Sequence, residues 1–576
     1  MLKLLRRLAP YRPPIALVLV LASGQSLGTL LLPRLMANIV DKGIVRGDQA
    51  EILRIGGLML LMSIAATACA IVANYYAARV ATAFGRDLRG AIFSKVEYFS
   101  IHQFDRFVAS SLLTRTTNDT TQVQQMLIMI LTIVITAPMM ALGGVILALS
   151  QDVQLGWVLI AVMPVMALVF GVIMRGAIPL SLAMQTKIDR LNLVLAEGLS
   201  GVRVIRAFDR GAHQRQRFDA ANLDLTDTAI AVNRLVAFLL PALLVVLNLT
   251  SIAIIWFGSH RIEAGRMQVG AMIASLQYAL QILIAVFLVT SMFVLLPRAS
   301  ASAARINEVL DVEAEIVDPA ASVAPPTNMR GQVEFEDVRF QYPGAEEPAL
   351  TGVSFVARPG EVTAVIGGTG SGKSTLAGLI PRFYDANEGR VLVGGVDVRE
   401  MSQADLRARI AYVPQKAVLF SGTVAENVRY GRQDASDNEV RSAAEVAQAL
   451  DFVNAMPGEF AAPVSQGGIN LSGGQKQRLS IARAVVRKPD IYVFDDSFSA
   501  LDFATDARLR AALRTVTAEA TVFVVAQRIS TVITADRIVV LENGRVVGIG
   551  THAELLQGSD IYREIVASQV SLEEVA

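Results

Sequence analysis

The sequence predicts a membrane-embedded α-helical half followed by an α/β domain built around a phosphate-binding loop. Long apolar runs crowd the N-terminal half and stop near residue 297. Beyond residue 330, apolar strand-like runs alternate with helical patterns, as in an α/β sheet. Between one such strand and one such helix stands G-x-x-x-x-G-K-S, from Gly367 to Ser374.

Composition sets the frame. At 576 residues the chain exceeds one compact domain, and 53% hydrophobic against 18% charged residues is too apolar for a soluble enzyme of this size. A net charge of +1 offers no bulk field for a nucleic acid, and none is expected as a partner. The single cysteine, Cys69, lies in an apolar run. It excludes an internal disulfide and a cysteine metal centre, and reads as a small buried hydrophobe.

Six apolar stretches reach the roughly 20 residues a bilayer crossing needs: 15–38, 55–80, 126–149, 154–178, 234–258 and 269–297. Lys3, Arg6, Arg7 and Arg12 precede the first, as in a signal peptide. That run is too long, however, and no small-residue cleavage site follows, so it is expected to remain a span. Loops 81–125 and 179–233 are long and rich in arginine, while the alternate connections are short and carry few cations. The positive-inside rule therefore places both termini and both long loops in the cytoplasm. Helical spacing within those loops predicts that the spans continue as helices beyond the lipid. The expected boundaries are a membrane domain over 1–310, a linker rich in Pro, Ala and acidic residues over 311–330, and the α/β domain over 331–576.

The phosphate site follows from local chemistry. VTAVI reads as a buried strand and STLAGLI as a helix start, the context the glycine motif requires. Residues Gly367, Gly368, Thr369, Gly370, Ser371, Gly372, Lys373, Ser374 and Thr375 are the candidate cradle. Glycines let backbone N–H groups wrap phosphates, Lys373 brings a point charge, and Ser374 brings a hydroxyl for Mg²⁺. Asp495 ends the apolar run IYVF and suits the same Mg²⁺ ion. Together they predict binding of a nucleoside triphosphate.

LSGGQ at 471–475, lying between these two motifs, identifies the resemblance. The ordered set of motifs resembles an ABC transporter, and six spans ahead of one such domain resemble its exporter-type half-transporters over nearly the whole chain. The resemblance implies ATP and Mg²⁺ as cofactors. It implies that Tyr342 stacks on adenine and that Gln415 of AYVPQ reaches Mg²⁺. It further implies that Leu471, Ser472, Gly473, Gly474, Gln475 and the Asp502 of SALD serve the nucleotide of a second domain across a dimer interface. FDR at 104–106 and GVRVIRAFDRG at 201–211 resemble the two coupling segments.

Three positions depart from the family pattern. Asp496 stands where the catalytic glutamate belongs, and Gln527 replaces the switch histidine. Gln466 stands where related chains often carry a glutamate. A carboxylate retracted by about 1.5 Å is poorly placed as a base, and glutamine cannot become cationic. The expected molecule is the ATP-binding, weakly hydrolytic half of a heterodimer. Its partner would be a second half-transporter that supplies the glutamate and the histidine. The alternatives are a homodimer using Asp496 as catalytic base, an exporter-fold importer, and a non-pumping ATP-gated regulatory subunit.

Cargo is only coarsely legible. Polar residues in or at the ends of spans include Gln25, Arg34, Asn38, Asn74, Arg175, Asn248, Gln277 and Gln281, and Met126, Met129, Met139 and Met140 punctuate one span. Such residues face a cavity or glue helices together. They suit an amphipathic or hydrophobic solute: lipid, drug, peptide-like molecule or siderophore. The expected location is the cell (inner or plasma) membrane for a bacterium, or an organelle membrane for a eukaryote, with the lipid bilayer as a partner.

Overall fold

The computed structural model describes residues 2–573 in two compact units. The first comprises residues up to Glu97 together with Val108–Val312, and the second comprises Tyr98–Phe107 together with Glu313 onward.

Six long helices make the first unit: α1 (Arg12–Asn38), α2 (Gln49–Glu97), α3 (Thr120–Gln151), α4 (Val153–Ser200), α5 (Gly211–Glu263) and α6 (Val269–Leu310). Each lies in a helical stretch long and apolar enough to cross a membrane. Helices α2, α4 and α5 run to 49, 48 and 53 residues. At ~1.5 Å per residue they reach about 70–80 Å, more than twice the ~30 Å hydrocarbon thickness. Prolines at 33, 138, 164, 179, 241 and 297 sit inside these helices. In a soluble helix each would argue for a break. Each removes one backbone hydrogen bond, but within lipid no water competes for the remaining ones, so the helix continues past the proline.

The core of this unit gathers Leu30, Leu155, Leu159, Leu243 and Tyr278. Across the α1–α6 seam, the Tyr278 hydroxyl donates to Leu30 O (3.2 Å) and Gln281 Nε2 to Thr29 O (3.2 Å). Asp152 caps α4 by accepting the N–H groups of Gln154 and Leu155, and it also receives Arg261 Nε at 2.9 Å. This one carboxylate ties two short connections together.

A second carboxylate, buried Asp119, ties the start of α3 to the end of α6. It accepts Ser302 Oγ (2.9 Å) and Arg305 Nε (2.7 Å). Asp119→Ala strands the Arg305 guanidinium, which is itself half in solvent. The expected loss is therefore about 1–3 kcal/mol, below that of a fully buried pair. A lowered thermal-unfolding midpoint in detergent, with nucleotide affinity unchanged, is the expected reading.

The second unit holds two main sheets. Strands β1 (Val333–Phe340), β2 (Leu350–Ala357), β4 (Glu388–Val393) and β5 (Val396–Asp397) form an antiparallel sheet in the order β2-β1-β4-β5. The other sheet contains β3 (Val362–Ile366), β6 (Ile410–Val413), β7 (Ile491–Asp495), β8 (Thr521–Val525), β9 (Arg537–Glu542) and β10 (Arg545–Gly550), ordered β10-β9-β3-β8-β7-β6. All its pairings are parallel except the edge pair β9–β10. Its central strands read as unbroken apolar runs because both faces are covered.

Residues 313–323 are pinned to this unit. Gln103 Nε2 donates to Glu313 O (2.6 Å), Ser100 Oγ to Glu315 (2.5 Å), and Val323 N to Glu400 O (2.9 Å). Residues 104–106 lie in a short helix, Ile101–Phe107, that belongs to the same unit. The segment 201–211 lies in the first unit, in the helix Val202–Ala207 and the turn leading into α5.

Candidate nucleotide site

Strand order assembles the site. In a parallel sheet, function gathers at the carboxyl ends of the strands. Here β3 ends at the glycine loop, its neighbour β8 leads to Gln527, and the next strand, β7, ends in Asp495. Strand β6, beside β7, leads to Gln415. Residues far apart in sequence thus arrive side by side.

The loop wraps tightly and opens helix α7 (Lys373–Leu379). A Cβ at Gly367 would sit 2.1 Å from Leu541 O, and one at Gly372 would sit 2.5 Å from Ala349 O. Gly372 also adopts φ +95°. Only glycine fits either position. Lys373 is buried, and its ammonium donates to Gly367 O (2.9 Å) and Gly368 O (2.6 Å). Burial pulls its pKa below the ordinary value, while the charges of Asp496 and Asp495 oppose that shift.

Asp495 is held on both oxygens. Ser374 Oγ donates to one at 2.9 Å and Tyr412 Oη to the other at 3.0 Å. Sequence reasoning missed Tyr412, although it stands in the same AYVPQ stretch as Gln415. Burial, with Asp495 beside it, keeps this phenol protonated far above its usual range, so it always donates. The oxygens of Ser374 and Asp495 are hard donors of the kind that suits Mg²⁺, and Gln415, whose Nε2 is held by the adjacent Asp496, carries a third candidate oxygen. Tyr412→Phe releases one carboxylate oxygen. It is expected to raise the Mg²⁺ concentration needed for nucleotide binding roughly tenfold, with binding in a chelator unchanged. Titrating Mg²⁺ against a fluorescent ATP analogue measures this.

Asp496 is engaged differently. Gln415 Nε2 (3.1 Å) and Gln527 Nε2 (3.2 Å) both donate to the same oxygen, Oδ2. Its backbone lies at φ +45°, a region that aspartate enters more readily than most residues, and its N–H donates to Val525 O at 2.9 Å. Burial raises its carboxyl pKa, the Gln415 bond opposes the shift, and Asp495 adds to it. Two carboxamides thus clamp the short carboxylate.

Tyr342 packs edge-on against Phe340 and Tyr384, with its hydroxyl 2.9 Å from Thr375 Oγ1. Ser472 begins helix α8 (Gly473–Arg487) in a capping box, accepting from Gln475 N while Gln475 Oε1 accepts from Ser472 N (2.9 Å). The first N–H groups of α8 are therefore set in a fixed array, an arrangement that receives anions. Asp502 caps α9 (Phe503–Val516) through Thr505 N (2.9 Å). Among the described residues, none of Ser472, Gln475 and Asp502 bonds to the loop 367–375 or to Asp495 and Asp496. Gln466 occupies a one-turn helix, Gln466–Gly468, ahead of the signature.

A phosphate loop, a buried carboxylate beside its serine and a second capped helix start, in a chain with six helices long and apolar enough to span a membrane, point to an ATP-driven membrane transporter. Two family models match: the ABC transporter transmembrane region over residues 15–286 and the ABC transporter domain over 350–499. The chain belongs to the ABC transporter family as a multi-pass membrane protein with an ABC-type ATPase domain. It is 45% identical, over 99% of this chain and 98% of the relative, to an uncharacterized ABC transporter ATP-binding protein of Mycobacterium tuberculosis (strain CDC 1551 / Oshkosh). An ATP-dependent lipid A-core flippase of Thiobacillus denitrificans is 33% identical over 94% of this chain and 93% of its own length. The fold matches the structure of a bacterial Atm1-family ABC exporter with ATP bound, at a TM-score of 0.81 and 24% identity, covering 98% of both chains.

Proposed function

We propose that this chain is the ATP-binding, weakly hydrolysing half of a heterodimeric transporter that moves a lipid-like amphiphile across the bacterial inner membrane. The observation that carries the proposal is the clamp on Asp496. A base must bring a free oxygen to water, yet this carboxylate is one carbon short and its Oδ2 already accepts from Gln415 and Gln527, leaving only Oδ1 without a hydrogen bond among the described residues. The binding apparatus around it is complete.

In this reading Gly367–Thr375 cradle the phosphates and Tyr342 flanks the adenine. Ser374, Gln415 and Asp495 hold Mg²⁺, which when bound neutralises phosphate charge. Leu471–Gln475 and Asp502 face the nucleotide of a second half-transporter with an intact glutamate and histidine. ATP would favour a closed pair because it binds that state better, and hydrolysis at the partner's site would release it. The apolar spans and the flippase relative support a lipid-like cargo. The arginine-bearing loops support cytoplasmic termini.

A competing homodimer, with Asp496 as its base, is favoured by the Asp496 Oδ1, which accepts no hydrogen bond among the described residues. Burial raises the Asp496 pKa, which is the direction a general base needs. Loading the purified pair with a photoreactive, radiolabelled ATP and sampling during turnover separates the two readings. Label on this chain should remain triphosphate through many cycles. Label found there mainly as diphosphate would favour the homodimer chemistry.

A further inference from the structure

A cavity of about 160 Å³ lies within the first unit, between α1, α2, α3 and α6. Its walls include buried Val18, Ala22 and Ala73, and the two alanines leave the space open. Four polar residues also line it: Gln25, Asn74, Thr132 and Thr136. Both threonine hydroxyls donate to their own helix, to Ile128 O (2.9 Å) and Thr132 O (2.7 Å), and present lone pairs only. Exposed Asn74 donates its Nδ2 to Ala70 O (2.9 Å), and its Oδ1 accepts no hydrogen bond among the described residues. Gln25 is half-buried, and its side chain makes no hydrogen bond among the described residues.

The α1–α6 seam shows what packing glue looks like in this molecule. There Gln281 and Tyr278 each donate to a carbonyl of α1, although Gln281 Oε1 is itself buried without a hydrogen-bond partner among the described residues. Gln25 lies one turn from that seam, on α1 itself, and does nothing of the kind. Asn74 is exposed and Gln25 half-buried, so in lipid their unpaired amide atoms stay costly until a partner reaches them, and both line this one cavity.

We propose that this cavity receives an uncharged hydrogen-bonding head group, a hydroxyl or carboxamide, carried by an apolar molecule. The proposal rests on the transport reading above and narrows its cargo. The guest's hydroxyl would donate to Gln25 Oε1 or Asn74 Oδ1 and accept from Gln25 Nε2. A charged head is disfavoured, because no ionisable side chain lines the cavity to compensate it. The volume is several times one water's share of ~30 Å³. It holds a head group and a few carbons, with the remaining tail outside.

The test uses the full chain in phosphatidylcholine nanodiscs and a diazirine-bearing octanol, with adducts mapped by mass spectrometry. Adducts should fall on the cavity-lining stretches of α1, α2 and α3, and excess octanol should displace them. Gln25→Leu with Asn74→Leu should lower labelling roughly tenfold, while Gln281→Leu should leave it unchanged. An unchanged thermal-unfolding midpoint in nanodiscs verifies each variant's fold. Ala73→Phe, which fills the space but keeps both amides, should also abolish labelling. Equal labelling by a hydroxyl-free diazirine octane or a diazirine octanoate, or labelling indifferent to the amide substitutions, would overturn the proposal. Labelling needs neither turnover nor a partner, so it fails independently of the transport reading. A working pair without head-group-dependent labelling removes the site. An inactive pair with normal labelling removes the transport reading and keeps the site.

Discussion

Converting Asp496 to Glu together with Gln527 to His is expected to raise hydrolysis at this chain's own nucleotide site by up to about 100-fold, the scale of a roughly 1 Å correction in placement. Two changes act together. The longer arm advances the carboxylate by about 1.5 Å. The imidazole removes one of the two amide donors that now converge on Asp496 Oδ2. Asp496→Glu alone keeps both donor amides and Gln527→His alone keeps the short arm, so the single variants should each recover only a small part of the gain. Single-turnover hydrolysis in the assembled pair, with the partner's glutamate removed, isolates the effect.

The second large effect is an asymmetry. Ser472→Ala removes the cap of α8 and the hydroxyl that starts the signature helix. If that helix serves the partner's competent site, turnover of the pair should fall about 30-fold or more, the scale of losing one transition-state donor. Losing a helix cap alone costs only about 1 kcal/mol of stability, and ATP binding to this chain should be unchanged. Asp496→Asn, although it sits in a phosphate site, should change turnover of the pair less than about twofold. Steady-state ATPase of both variants reads the contrast. Equal losses would mean that both sites carry turnover.

Much of this was legible in the sequence because the signals are local. Spans declare themselves by length and apolarity, and the loop 367–374 by its own glycines. The clamp on Asp496 and the Tyr412–Asp495 bond were not legible. They depend on β8 lying between β3 and β7, and on β6 lying beside β7, which is a matter of sheet order rather than sequence neighbours. The helix prolines mislead a reader who applies soluble-helix rules, because lipid changes the cost of breaking the backbone ladder. Gln25 and Gln281 look alike as letters, and only packing shows that Gln281 Nε2 binds a carbonyl of α1 while the Gln25 side chain makes no hydrogen bond among the described residues.

The most direct test of the account is the ATPase rate of this chain in lipid, alone and combined with a second half-transporter that carries the catalytic glutamate and switch histidine. The account predicts near silence alone and robust turnover in the pair. Turnover by this chain alone at the rate of the pair would contradict it, and would show Asp496 to be a sufficient base.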